Sequence, residues 1–310
     1  MNATDGCGRH KHDELIIGGR LCPAAGPGFV VVHSPADGTV VGHVPDPVTA
    51  DVDSAVHAAR QSFDAGQWRS TPVGERARVL REAADRLEQQ QEELARLITA
   101  EMGSPIAFSR FGQVAPAIGQ LRYYAHLIED FAFEHTLTGL GRTVVVREPA
   151  GVVAAVVPWN APLFIAVNKI APALAAGCSV ILKPAPESPL DSYLLADALM
   201  SAGLPAGVLS VLPAGRGVAE YLVSHSGVDK VTFTGSTAAG RRVMAACGAN
   251  ITRVTLELGG KSAAVILDDA DVDEHLAGLM MRMFANNGQV CTAQTACWCP
   301  AGVGTTCSQP

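Results

Sequence analysis

A doubly wound parallel α/β sheet is the fold this sequence predicts, and three observations carry the prediction. Between residues 151 and 258, short apolar runs alternate with helical patterns in repeated strand–helix units. The runs are nearly continuous in their apolar character, as strands covered by helices on both faces are. The composition of the 310-residue chain, 48% hydrophobic and 17% charged, excludes a disordered chain and leaves room for about two domains.

The elements follow in order. Residues 1–14 are polar and are expected to fray into a disordered N-terminus. Residues 15–45, rich in Val, Gly and Pro, read as short strands and turns. From Thr49 to Phe63, Val52, Ala55, Val56, Ala59 and Phe63 recur on one helical face, with Thr49 as the cap and Gly66 as the stop. Thr71-Pro72 opens a longer helix over about 73–99 that turns Leu80, Ala84, Leu87, Leu94 and Ile98 inward. Residues 105–133 read as helical again, and 142–147 as an exposed or pairing strand. The alternation then begins. Strands at 151–157, 178–183, 207–212 and 230–234 precede helices near 162–176, 190–202, 216–225 and 237–247, and a strand at 252–258 closes the series.

Several classes of function are excluded. The net charge is −7 with no basic block, which argues against a nucleic-acid partner, and 5% aromatic residues leave no stacking platform for single strands. Residues 149–168 carry no charge, but Pro158, Asn160 and Pro162 break the centre of any membrane span, and strand, turn, helix is the reading. No secretory signal opens the chain, so the expected location is cytoplasmic and the eight cysteines are not a disulfide framework. Cys178 and Cys247 read as small buried hydrophobes. Cys297-x-Cys299 with Cys307 matches no common zinc spacing, and no metal is expected.

In such a sheet, ligands bind beyond the carboxyl ends of the strands. Those ends read Pro158-Trp159-Asn160, Lys183-Pro184, Thr234-Gly235-Ser236 and Glu257-Leu258-Gly259-Gly260, and a nearby helix runs into Asn287-Gly288-Gln289-Val290-Cys291. Each has a bland reading: a cap, a solvated charge, a turn, a strand-end carboxylate. Together on one sheet edge they amount to a site. Neither nucleotide fingerprint is satisfied. Gly235 to Gly240 has Arg241 where a phosphate loop needs Lys, Gly260-Lys261-Ser262 has Thr255 where the first Gly belongs, and Gly215-x-Gly217 is followed by Val218-Ala219-Glu220. A helix N-terminus at 235–240 can still hold a pyrophosphate through its N–H groups.

PWNAPL (158–163), KPAPESP (183–189), FTGSTAAGR (233–241), LELGGKS (256–262) and FANNGQVCTA (284–293) occur in this order. With them the chain resembles the aldehyde dehydrogenase superfamily, from about Leu15 to Thr295. The resemblance implies a Rossmann-like cofactor domain and oxidation of an aldehyde to a carboxylic acid through a cysteine thiohemiacetal and thioester. It implies Cys291 as nucleophile, Asn160 with the Cys291 N–H as oxyanion hole, Glu257 as the base that activates water, and Lys169 in a proton relay. It places Pro158, Trp159, Lys183, Gly215, Phe233, Gly235, Ser236 and Leu258 in the cofactor cleft, with Lys183 on a ribose. NAD is the expected cofactor. NADP is left open, because Pro186 stands where many members carry a ribose-binding Glu and Glu187 comes one residue later. The implied divisions are 15–135 as the first part of the cofactor domain, 136–149 as an oligomerisation strand, 150–258 as the Rossmann-like core, and 259–310 as an incomplete second α/β catalytic domain bearing the nucleophile.

The tail departs from the family. No charge occurs from Thr292 to Pro310, and three cysteines fall within residues 296–310. Thr295–Pro300 can be coded ACC GCG TGC TGG TGC CCC, and one added C after the first codon yields Thr-Arg-Val-Leu-Val-Pro, similar to the family's continuation. The expectation is a chain truncated by a frameshift after Thr295, with unpaired strand edges, exposed apolar surface, poor solubility, little turnover, and no C-terminal segment of the kind that makes the family homo-oligomeric. The alternative is an inactive remnant that binds nucleotide or a full-length relative. A cofactor-free cysteine hydrolase would need a histidine partner, and the one nearby candidate, His275, lies on an ordinary helix.

Overall fold

The apolar runs become the centre of a seven-stranded sheet in the computed structural model, which describes residues 10–139 and 141–299. Strands β1 (His10–Lys11), β2 (Leu15–Ile17), β3 (Arg20–Cys22), β4 (Phe29–His33) and β5 (Val40–Pro45) come first. Helices α1 (Thr49–Asp64), α2 (Val73–Gln89), α3 (Gln91–Met102) and the short α4 (Ile106–Phe108) follow, and a π turn at Ser109–Val114 leads into α5 (Ala115–Asp130). β6 (Glu134–Thr138) and β7 (Arg142–Val146) form an antiparallel hairpin. The alternating region is β8 (Val152–Val156), α6 (Pro162–Ala176), β9 (Ser179–Lys183), α7 (Leu190–Ser201), β10 (Leu209–Val211), α8 (Arg216–Ser224), β11 (Lys230–Gly235), α9 (Thr237–Ala249) and β12 (Arg253–Leu258). β13 (Ala263–Val265), α10 (Val272–Phe284), a 3₁₀ turn at Ala285–Gly288 and β14 (Ala296–Trp298) complete the described chain.

The strand order is β12-β11-β8-β9-β10-β2-β3. β8 to β12 are mutually parallel, while β2 and β3 join antiparallel beside β10. The chain steps outward from β8 through β9 and β10, then returns to place β11 on the other side of β8. The β8/β11 boundary is therefore the topological switch point, where the connecting loops diverge and leave a crevice. The period-2 alternation of the strands sorts their side chains into two cores. Val153, Ala155, Val180 and Leu182 pack with α2, α5, α6 and α7, while Val152, Ala154, Val156, Ile181, Val231 and Phe233 pack with α1, α8 and α9. Cys178 and Cys247 are buried in these cores.

Four local expectations change. The helix expected over 73–99 is two helices, broken at Gln90, whose ψ of 12° leaves the helical range. No Gly or Pro marks the break, because the bend comes from packing α2 on α5 and α3 on the π turn. Thr49 is the first helical residue and not the cap. The Asp51 carboxylate, in the first turn, reaches back to accept the N–H of Val48 at 2.8 Å and that of Ala25 at 2.8 Å, so the helix start is satisfied without a hydroxyl cap. The polar N-terminus is ordered from His10: β1 pairs parallel with β5, and His12 stacks on Tyr193 at 3.9 Å. Residues 1–9 lie outside the described residues. Residues 296–298, in the uncharged tail to which the sequence assigns no element, form β14, which pairs parallel with β13. Residues 300–310 again lie outside the described residues.

No helix among the described residues is long and apolar enough to cross a membrane. The hairpin that contains most of the 136–149 segment exposes Leu137, Val144 and Val146. Trp68 joins α1 to the underside of α6: it is 1% exposed, and its indole N–H donates to the Leu174 carbonyl at 2.8 Å. Trp68→Ala is expected to lower stability by about 3–5 kcal/mol, the range for emptying a large aromatic site. Urea unfolding followed by far-UV circular dichroism measures it.

Candidate active site

The switch point gathers the strand ends. After β8 the chain turns through Pro158-Trp159-Asn160 and enters α6 with Pro162 in its first turn, where a missing N–H costs nothing. β9 ends on Lys183, which is buried. β11 ends on Gly235, and Ser236 caps α9 by accepting the Ala239 N–H at 3.2 Å. Gly215 precedes α8, and a Cβ added there would meet no protein atom within 4 Å. These ends and the N-termini of α8 and α9 enclose a cavity of about 670 Å³, lined by Pro158, Trp159, Lys183, Gly215, Phe233, Gly235 and Ser236.

A second cavity, of about 370 Å³, adjoins the first and shares Pro158, Trp159, Gly235 and Ser236 with it. Asn160, Leu258, Gly259 and Cys291 complete its wall. The thiol-bearing loop and the backbone that follows Glu257 thus border one mouth. Cys291 and Glu257 are both exposed. Helix α9 fixes the strand beneath that mouth, since a Cβ on Gly240 would come within 2.5 Å of the Leu258 side chain.

The loop carrying Cys291 is shaped by residues that stand in a sequence motif but are given no role there. Asn286 and Asn287 adopt left-handed backbone, φ 52° and 57°, and Gly288 follows at φ 72°. Asn tolerates this region better than most residues, so the Asn-Asn-Gly run is the signal that could have located the turn. Asn286 is buried and donates from Nδ2 to the Asn160 carbonyl at 2.8 Å; Asn160 Nδ2 in turn donates to the Gln289 carbonyl at 2.7 Å. Asn287 Nδ2 donates to the Gly103 carbonyl at 2.9 Å, pinning the turn to α3. A carboxamide nitrogen carries two protons, so Asn160 keeps one donor beyond its bond to Gln289.

Two lysines lie under the site. Lys169, on α6, donates to Thr232 Oγ1 at 3.1 Å, and burial lowers its pKa to about 8 against the opposing pull of the Glu257 carboxylate. Burial lowers Lys183 to about 8 as well, opposed by Glu187, which also lines the larger cavity. In register, Thr232 faces Thr255 and Thr234 faces Glu257 across β11 and β12, which sets a polar stripe toward Lys169. Thr232 had no motif to announce it. Among the described residues no cluster of three His, Cys, Asp or Glu side chains is arranged to hold a metal ion.

Comparison with known proteins decides the family. The family model described as the aldehyde dehydrogenase family matches residues 23–306. The chain belongs to this family. Within the aldehyde dehydrogenases, it is 43% identical over 295 residues to the geranial dehydrogenase of Castellaniella defragrans, an alignment covering 94% of this chain and 61% of that protein. An aldehyde dehydrogenase from Mycobacterium tuberculosis complexed with NAD⁺ superposes with a TM-score of 0.91 at 43% identity, covering 93% of this chain and 60% of that one. A mutant of aldehyde dehydrogenase C from Pseudomonas syringae, complexed with NAD⁺ and octanal, gives a TM-score of 0.90 at 38% identity, covering 94% and 60%. The chain thus spans about 60% of the length of the aldehyde dehydrogenases it matches.

The lysine values fix a pH dependence. The unfolded chain holds more protons than the folded one between about 8, where buried Lys169 titrates, and the ordinary lysine value of 10.5. The contribution of Lys169 to stability therefore rises with pH across that window, and its burial penalty is fully present below it. Lys169→Met removes the titration, so the wild-type chain should gain stability relative to the variant between pH 8 and pH 10.5. Urea midpoints near neutral pH and near pH 10 test this, and an equal difference at both would contradict it.

Proposed function

We propose that this chain carries the cofactor-binding and nucleophile-bearing parts of an enzyme that oxidises an aldehyde to a carboxylic acid with NAD⁺. The observation that carries this reading is the shared wall of the two cavities: one is large enough for a dinucleotide, the other opens on Cys291 and Asn160. The residues present fit such a cofactor. Two helix N-termini face the larger cavity and suit a pyrophosphate, Lys183 suits a ribose hydroxyl, and the space over Gly215 is open. Bound there, the nicotinamide supplies the hydride acceptor that no side chain provides.

The roles of the chain's own groups follow. The Cys291 thiolate attacks the aldehyde carbon, and the resulting oxyanion accepts hydrogen bonds from the free Asn160 Nδ2 proton and the Cys291 backbone N–H. Oxidation leaves a thioester on Cys291. Glu257, at the end of β12, takes a proton from water as that water attacks the thioester and releases the acid. Lys169, held by Thr232, is placed to relay that proton from Glu257 into the protein. Pro158, Trp159, Phe233, Gly235, Ser236 and Leu258 shape the walls. Glu187, whose charge acts on Lys183 and which lines the larger cavity, would repel a 2′-phosphate there, and this supports NAD over NADP. The β6–β7 hairpin, with its exposed Leu137, Val144 and Val146, is the surface proposed for pairing with another copy.

A second reading, a chain that binds nucleotide without turning over aldehyde, is favoured by one observation. None of the residues of α10 is buried, and Leu276, Met280, Met281 and Phe284 stand exposed on this helix, which leads into the Cys291 loop. One set of measurements separates the readings. With NAD⁺ and aldehyde, the first reading has the wild-type chain release NADH and acid, faster than with NADP⁺, while the second has it bind nucleotide alone. Asn160→Ala should slow this by about 10²–10³. Glu257→Gln should accumulate an acyl adduct on Cys291 visible by intact mass, and Cys291→Ala should form none. Nucleotide binding with neither turnover nor adduct would favour the second reading.

A further inference from the structure

At the amino ends of the strands, opposite the mouth that holds Cys291, lies another cavity of about 640 Å³. It is bordered by the turn between α1 and α2, the end of α6 and the segment after β7. Three arginines line it: Arg69, Arg76 and Arg147, with Glu148 the one acidic residue of the wall. Among the described residues the ion pairs of arginine are made by Arg60, Arg78, Arg81, Arg86, Arg96, Arg110, Arg122 and Arg242, and by none of these three.

Arg76 is the informative one. It is 5% exposed, and its Nη1 donates to the Arg69 and Thr71 carbonyls at 3.2 and 3.1 Å. Its Nε is buried without any hydrogen-bond partner. A guanidinium removed from water without a carboxylate is costly, and an interior position of this kind is normally held against a countercharge. The other two are oriented as well. Arg69 lies over the Phe63 ring at 5.2 Å, Arg76 over Phe133 at 5.5 Å and Arg147 over Phe131 at 5.5 Å. Arg147 is further fixed by donating to the Ala132 carbonyl at 2.8 Å. The wall therefore holds one buried guanidinium, Arg76, and two exposed ones oriented over aromatic rings, and the N-terminus of the 17-residue α2 opens on the same space.

We propose that this cavity binds a small phosphate-bearing anion, held by Arg69, Arg76 and Arg147. Guanidinium forks match the oxygens of phosphate, and the volume exceeds that of inorganic phosphate, which points to a phosphate ester or a diphosphate. Its position at the far end of the sheet makes this site separate from the nucleotide cavity.

Pyrophosphate titrated into the full chain at constant ionic strength, read by calorimetry, tests the assignment. Saturable binding is expected. The double variant Arg69→Gln/Arg147→Gln, both on exposed residues, should weaken it by at least about tenfold. Arg76→Lys, which keeps the charge and removes the fork, should also weaken it, and circular dichroism reports whether that buried variant folds. Saturating NAD⁺, the occupant proposed for the nucleotide cavity, should leave this binding unchanged. Absence of saturable binding, equal affinity in the double variant, or competition by NAD⁺ would overturn the proposal. Tighter binding of citrate than of pyrophosphate would overturn the phosphate assignment.

Discussion

The burial of β8 on both faces is the constraint from which the rest of the molecule follows. Its five residues are all buried, with neighbours on both sides in the sheet and helices above and below. Its N–H and C=O groups must therefore find partners within the protein, in β9, in β11 and, for the Val152 N–H, in the Asp229 carboxylate. That requirement fixes the parallel registers on both flanks, and the registers bring Lys183 and Phe233 level with Val156, just short of Pro158 and Gly235 at the carboxyl edge. A strand satisfied on both sides cannot continue past its partners. The chain has to turn at Pro158, and the crevice opens where it does.

The mouth also depends on an unfavourable conformation. Consecutive left-handed residues at Asn286 and Asn287 are tolerated because three carboxamide bonds hold the turn: Asn286 to the Asn160 carbonyl, Asn160 to the Gln289 carbonyl and Asn287 to the Gly103 carbonyl. The donor offered to an oxyanion and the loop offering the sulfur therefore belong to one hydrogen-bonded unit. Asn160 is oriented by the very loop it would serve, which is how a site on loops acquires the rigidity of one on strands.

The sheet was legible because its signals are local. Continuous apolar runs such as Val152–Val156, bounded by Gly151 and Pro158, read as buried strands from the residues alone, and the strand ends could be listed before any geometry was known. The break at Gln90 was not legible, since three glutamines in a row are compatible with an unbroken helix and only the packing of α3 bends the chain. The Asp51 bonds that open α1 were missed because one of them joins residues 25 and 51. Motif reading selected Cys291, Glu257 and Lys169, but it could not find Thr232, an ordinary strand threonine until α6 places a lysine over it. The tail misled in the other direction: a segment without charge or period still pairs as β14, because backbone bonding to β13 needs no side-chain pattern.

Gly240 has one more consequence. With no side chain at that position, α9 settles directly onto Leu258, so the helix and the end of β12 touch without an intervening layer. The helix begins at Ser236, on the rim where an anion would be bound, and the strand ends next to Glu257. Two functions separated in the sequence by twenty residues are thereby mounted on a single stiff lever. Anything that tugs on the near end of α9 reaches the carboxylate through a methyl group in direct contact, with no slack to absorb the movement.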